Sequence, residues 1–173
     1  SAPSDTMSSH THAPAPSTEH LSSDVELQKL FQLALSAKEN AYCPYSKFRV
    51  GACLLTETGE FIQGCNVENA SYGLAICAER NAFCAAVAKG HRKFKAIAVT
   101  SDVLESFTYP CGACLQFMLE FGKDLPAYFV RADVKAVDKR LVRELVPFGF
   151  GPEDLDLNSQ KTNKLDTAPA NSH

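Results

Sequence analysis

Two short stretches, Cys77-Ala78-Glu79 and Pro110-Cys111-Gly112-Ala113-Cys114, constrain this chain more than any other, with thirty-three residues between Cys77 and Cys111. Three thiols in this spacing suit zinc, and a fold that uses them must bring two distant segments to one ion. A structural zinc takes four protein ligands, whereas a catalytic zinc keeps three and leaves its fourth position to water. Three cysteines, with a carboxylate two residues past the first, fit the second description. Residues 77–88 are rich in helix formers and run up to Gly90, which predicts Cys77 in the first turn of a helix. Residues 111–121 read the same way between Pro110 and Gly122, setting Cys111 and Cys114 on one face as i and i+3. Two helix N-termini converging on the ion lower thiol pKa values.

Three thiolates overbalance a divalent zinc by one negative charge, which opposes ionising a bound water. Arg80, directly after Glu79, is the candidate to drain that charge through a hydrogen bond to a cysteine sulfur, keeping the pKa of the water near about 7. The competing arrangement is a closed four-cysteine site, with Cys65 or Cys84 as fourth ligand and Glu79 incidental, which would hold zinc without turnover. Structural sites usually pair two C-x-x-C knuckles, and here there is one. Cys43, Cys53, Cys65 and Cys84 read as small apolar packing residues.

A length of 173 residues with 45 % hydrophobic content indicates one domain, expected over residues 22–156. Residues 1–21 are mostly Ser, Thr, Pro and Ala with solvated His10, His12 and His20, and they predict a disordered tail, as do residues 157–173. A net charge of −3 argues against a polynucleotide partner. No apolar run approaches the roughly 18 residues of a membrane span. Seven cysteines, an odd count, without a signal-peptide pattern suggest a reducing compartment and a cytoplasmic protein.

The remaining pattern gives the fold class. A capping box of Ser23 and Glu26 and the stripe Leu27, Leu30, Phe31, Ala34, Ala37 predict a helix over 23–40, ended before Pro44. Strands are expected at 49–56 and 60–66 across Glu57-Thr58-Gly59, at 94–101 and at 125–131, with a weak fifth at 134–137 and a helix over 139–145. The alternation indicates α/β architecture, a three-layer α/β/α sandwich on a mixed sheet of about five strands.

The C-x-E and P-C-x-x-C pair resembles the zinc-dependent nucleoside and nucleotide deaminases. Four further stretches extend the match: Tyr42-Cys43-Pro44-Tyr45-Ser46, Phe48-Arg49-Val50-Gly51-Ala52, Gly64-Cys65-Asn66-Val67-Glu68-Asn69-Ala70 and Phe150-Gly151-Pro152-Glu153-Asp154-Leu155. With them, residues 22–156 are similar to the small homotetrameric cytidine deaminases. The resemblance implies one zinc per subunit on Cys77, Cys111 and Cys114, with water or hydroxide completing the shell. It implies hydrolysis of cytidine and deoxycytidine to uridine and deoxyuridine with release of ammonia, a step of pyrimidine salvage. Hydroxide attacks C4 of cytosine, and Glu79 protonates N3 and then the leaving ammonia. Phe48 is implied to pack on the pyrimidine, the Ala78 main chain to contact the base, and Glu68 to bind the ribose 3′-hydroxyl with Asn66 beside it. Ala70, Tyr72 and Phe150 are implied to face the active site of a neighbouring subunit. Blasticidin-type antibiotic deaminases share Cys-x-Glu and the tetramer. Deoxycytidylate and polynucleotide-editing deaminases generally carry His-x-Glu where this chain has Cys77, and the chain has no Trp for binding a strand.

Overall fold

A computed structural model describes residues 24–155, and both predicted tails lie outside the described residues. Helix α1 (Val25–Lys38) is capped by Asp24, whose carboxylate accepts from the N–H groups of Glu26 at 2.9 Å and Leu27 at 3.4 Å. The capping box expected of Ser23 and Glu26 lies partly outside the described residues, and within them Asp24 is the cap. The predicted stripe is confirmed at Leu30, Phe31, Ala34 and Ala37, all buried. Strands β1 (Val50–Thr56) and β2 (Phe61–Cys65) form the expected hairpin. Its turn uses Gly59 at φ 90°, a left-handed conformation that costs glycine little. Helix α2 (Ala78–Ala88), strand β3 (Phe94–Ser101), helix α3 (Gly112–Phe121) and strand β4 (Pro126–Val130) follow, then β5 (Val137–Leu141) and the single turn α4 (Val142–Leu145).

The last two elements correct the sequence reading. The fifth strand begins at Val137, not Val134, and occupies the first half of the segment expected to be helical. Val134 sits in the β4–β5 turn with φ 58°, its N–H bonded to the Arg131 carbonyl at 2.9 Å. The chain returns beside β4 at Val137, and the antiparallel ladder from Val130↔Val137 to Pro126↔Leu141 overrides the helical pattern.

The sheet order is β2-β1-β3-β4-β5, with β3 and β4 the parallel pair. Alternation along the strands sends side chains to two faces. Ala52, Leu54, Ile97, Val99, Ala127 and Phe129 pack with Ala82 and Phe83 of α2 and Met118 of α3. Cys53, Leu55, Ala96, Ala98, Tyr128 and Val130 pack with Leu30, Phe31 and Ala34 of α1. The result is the three-layer α/β/α sandwich. Two glycines let helices lie directly on it: a Cβ on Gly51 would stand 2.2 Å from the Ala34 carbonyl, and one on Gly64 2.5 Å from the Ala78 carbonyl. The second contact seats the first turn of α2, and with it Cys77 and Glu79, against β2. No helix among the described residues is long and apolar enough to cross a membrane.

Candidate metal centre and adjoining cavity

Cys77 and Cys111 occupy the N-cap positions of α2 and α3, with extended backbone at φ −72°, ψ 156° and φ −70°, ψ 166°. Their carbonyls start the two helices by accepting from Asn81 at 3.1 Å and Leu115 at 3.0 Å. Neither side chain caps its own helix. The thiols face each other instead, Sγ to Sγ at 3.8 Å. Cys114, buried in the first turn of α3, completes a group whose sulfurs all lie within 4.8 Å of one another. Tetrahedral zinc with bonds of about 2.3 Å to sulfur needs S···S edges of about 3.8 Å, so the donor set and its spacing fit that ion. Among the described residues no other group of three His, Cys, Asp or Glu side chains is arranged to hold a metal. The closed four-cysteine alternative lacks its fourth thiol, because Cys65 Sγ donates to the Asn40 carbonyl at 3.4 Å and Cys84 is exposed. Cys84 thus departs from the packing role expected of it, while Cys43 and Cys53 are buried.

Cys77 gives up its proton more readily than Cys114. A hydrogen bond from Cys114, outweighing burial, and a second from Arg80 Nη2 at 3.7 Å draw its pKa down to about 5. The same bond, with burial, pushes Cys114 up. Arg80 Nη2 also reaches the Ala75 carbonyl at 3.4 Å, and its buried Nε has no partner among the described residues. A buried donor lacking an acceptor beside three sulfurs matches a centre that carries negative charge. Glu79 is 4 % exposed, and burial, reinforced by the charge of Cys77, raises its pKa. A buried carboxyl with a raised pKa holds a proton more readily than a free one, which suits a group that takes and returns protons.

A cavity of about 330 Å³ opens from these groups. Cys77, Glu79 and Cys111 line it together with Thr108 and Tyr109, which lead into Cys111, and with Phe48, Val50, Asn66 and Glu68. A second cavity of about 350 Å³, lined by Tyr45, Asn69 and Tyr72, shares Ser46, Glu68 and Ala75 with the first. Glu68 accepts from the main chain of Tyr45 at 2.8 Å and of Ser46 at 3.2 Å, and from the Ser46 hydroxyl. The hydroxyl bond is the main reason its carboxyl lies below the usual range. Ser46 Oγ accepts in turn from the Phe48 N–H at 3.0 Å. The Asn66 amide accepts from Val50 N and donates to the Phe48 carbonyl, both at 2.8 Å. Asn66 and Glu68 therefore brace the loop that carries Phe48, which is 43 % exposed and lines the cavity.

The structure gathers most of the predicted site. Phe48, Asn66, Glu68, Cys77, Glu79 and Cys111 line one cavity, with Cys114 and Ala78 buried behind it. Ala70, Tyr72 and Phe150 stand apart from that cavity. Tyr72 is exposed and packs on Tyr45 with ring centroids 5.5 Å apart, Ala70 is exposed, and the exposed Phe150 offers its carbonyl to Gln116 Nε2 at 2.8 Å. Sequence reasoning missed Ser46, Thr108 and Tyr109. Ser46 closes a quoted motif and Tyr109 adjoins Pro110, so proximity to motifs was their only signal.

Comparison with known proteins adds relatives to this geometry. Residues 24–129 match the family model described as the cytidine and deoxycytidylate deaminase zinc-binding region. A probable cytidine deaminase of Dictyostelium discoideum is 45 % identical over 139 residues, covering 80 % of this chain and 93 % of the relative. A cytidine deaminase of Sporosarcina psychrophila is 42 % identical over 140 residues, covering 79 % and 100 %. The crystal structure of cytidine deaminase from Burkholderia pseudomallei superposes with a TM-score of 0.68 at 44 % identity, covering 71 % of this chain and 98 % of that one.

Proposed function

The chain belongs to the cytidine and deoxycytidylate deaminase family, and from that premise we propose that it hydrolyses cytidine and deoxycytidine to uridine and deoxyuridine, releasing ammonia. One observation carries the reading: buried Glu79 stands beside a three-thiol cluster, at the end of a cavity that also holds Phe48 and the Glu68 carboxylate. Cys77, Cys111 and Cys114 would hold the zinc, which would supply the Lewis acidity that ionises a water near neutral pH. Glu79 moves the protons, carrying one from the attacking water to N3 of cytosine and a second from the hydroxyl added at C4 to the departing amino group. A C–O bond forms at C4 as the C–N bond breaks, so cytosine and water balance uracil and ammonia. Arg80 withdraws charge from Cys77. Phe48 packs on the ring and excludes water, and the Ala78 main chain contacts the base. Glu68 binds a ribose hydroxyl, a suitable pairing because a carboxylate only accepts hydrogen bonds, and Asn66 stands beside it. Among the described residues no Lys or Arg lines either cavity, which favours free nucleosides over nucleotides.

Ala70, Tyr72 and Phe150 are assigned to the active site of a neighbouring subunit in a homotetramer. The exposure of Tyr72 and Phe150, away from their own metal-end cavity, supports the assignment. The setting is pyrimidine salvage in the cytoplasm. Zinc content and ammonia release from cytidine, measured for the wild type beside Glu79→Gln, test the chemistry. Both proteins should hold about one zinc per chain, and the variant should lose about 10²- to 10⁴-fold in rate. Zinc in both, with no ammonia from cytidine, deoxycytidine, cytidine monophosphate or blasticidin S, would return the metal to a structural role. Turnover of blasticidin S alone would move the reading to an antibiotic deaminase. A monomer by sedimentation that still deaminates would remove the cross-subunit roles.

A further inference from the structure

Asp138 is a buried charged group that this mechanism leaves without a task. It lies on β5, 1 % exposed, and its Oδ2 accepts from the Tyr109 hydroxyl at 2.7 Å and from Arg140 Nε at 2.9 Å. Its Oδ1 has no partner among the described residues. A buried carboxylate with an unpaired oxygen costs stability, so its presence calls for a reason. What it holds is Tyr109. Phe129, opposite Asp138 in the β4–β5 ladder, packs against the same ring with centroids 4.7 Å apart. Tyr109 is thus fixed at its hydroxyl and on its ring. It immediately precedes Pro110 and Cys111, and it lines the cavity with Cys77 and Glu79. With its hydroxyl committed to Asp138, it offers the cavity a ring rather than a proton.

We propose that Tyr109, anchored by Asp138, is a specificity-determining wall that limits the space around the reacting amino group of the base and so excludes amino groups bearing an alkyl substituent. The proposal rests on the cytosine-nucleoside reading, which sets the amino-bearing edge of the base against Cys77, Glu79 and Cys111. A bulky ring beside those groups leaves little room for an added methyl, and the anchor keeps the ring from swinging aside. A fixed wall discriminates where a mobile one yields.

The test compares kcat/KM for cytidine and N4-methylcytidine in the wild type, Tyr109→Ala, Tyr109→Phe and Asp138→Asn, with zinc content, melting temperature and calorimetric binding of uridine measured on each. N4-methylcytidine reacts with the same balance, methylamine leaving in place of ammonia. Tyr109→Ala should raise the ratio of N4-methylcytidine to cytidine turnover at least about 10-fold, the lower bound of what one methylene is worth in an apolar pocket. Tyr109→Phe, which keeps the ring and removes the anchoring hydroxyl, and Asp138→Asn, which leaves that hydroxyl only a neutral amide oxygen, should shift the ratio in the same direction by less, raise KM for cytidine, weaken uridine binding and leave zinc content unchanged. They decide the matter if the alanine variant fails to fold. A merely structural role would lower the melting temperature and leave the ratio alone, so an unchanged ratio in folded, zinc-loaded variants overturns the wall. A wild type that deaminates no cytosine nucleoside overturns the underlying reading instead, and this inference with it.

Discussion

Glu68 does two things with one carboxylate: it holds the 45–48 loop and it lines both cavities. Ser46 is the link, donating to Glu68 and accepting from the Phe48 N–H. Ser46→Ala cuts both connections, leaving that N–H without its acceptor and Glu68 with main-chain donors alone. A hydrogen bond to a charged group contributes about 1.5 kcal/mol or more, so KM for cytidine should rise about 10-fold. The value of kcat should fall much less, because Glu79 and the thiols stand on other elements; steady-state kinetics on the variant checks both. The cluster of Cys77, Cys111 and Cys114 beside Glu79 was legible in the sequence because each motif fits within one helical turn. The bracing by Ser46 was not, since its partner is 22 residues away, and the Tyr109–Asp138 bond spans 29. Such contacts exist only once the strands have found their register.

Helices α2 and α3 begin at cysteines that make no side-chain cap bond, unlike α1, where Asp24 performs that service. A metal on Cys77 and Cys111 ties down two helix starts at once, so its binding free energy becomes stability of both. With free zinc about a thousandfold above its Kd, that linkage contributes about 4 kcal/mol, or about 10 °C of melting temperature at this chain length. Calorimetry after chelation should show a loss of this order. Hydrogen exchange should accelerate in the first turns of α2 and α3, while α1 is spared. The helices themselves were legible, down to the positive φ of Gly90 and Gly122 just past their ends. The β5–α4 junction was not, because Val-Asp-Lys-Arg-Leu is polar for a strand, and it is the ladder with β4 that makes it one.

For the molecule as a whole, a network of charges locks the outer layer. Asp102, just past β3, accepts from Lys38 at 2.8 Å and pairs with two nitrogens of Arg49, whose third reaches Glu39 at 2.6 Å. These bonds, that from Arg49 foremost, hold the Asp102 carboxyl below its ordinary value of 3.8. A depressed acid contributes stability that is fully present above the ordinary value and lost as pH falls through the lower, folded one. The melting temperature of the wild type should therefore exceed that of Asp102→Asn at pH 6, and the gap should close on acidification below about pH 4, which paired melts would reveal. The layer order was legible from the alternation of helices and strands, whereas this lock was not, because Asp102 lies 53 residues beyond its partner Arg49. The same layering has a consequence for how freely the chain can vary. Gly51 pairs with Cys65 and Gly64 with Ala52, on adjacent rungs of the β1–β2 ladder, and α1 and α2 lean on them from opposite sides. In a library of random variants selected for turnover, these two positions should admit almost nothing but glycine, though neither lines a cavity, so mutational tolerance will map where backbones touch as sharply as where bonds are broken.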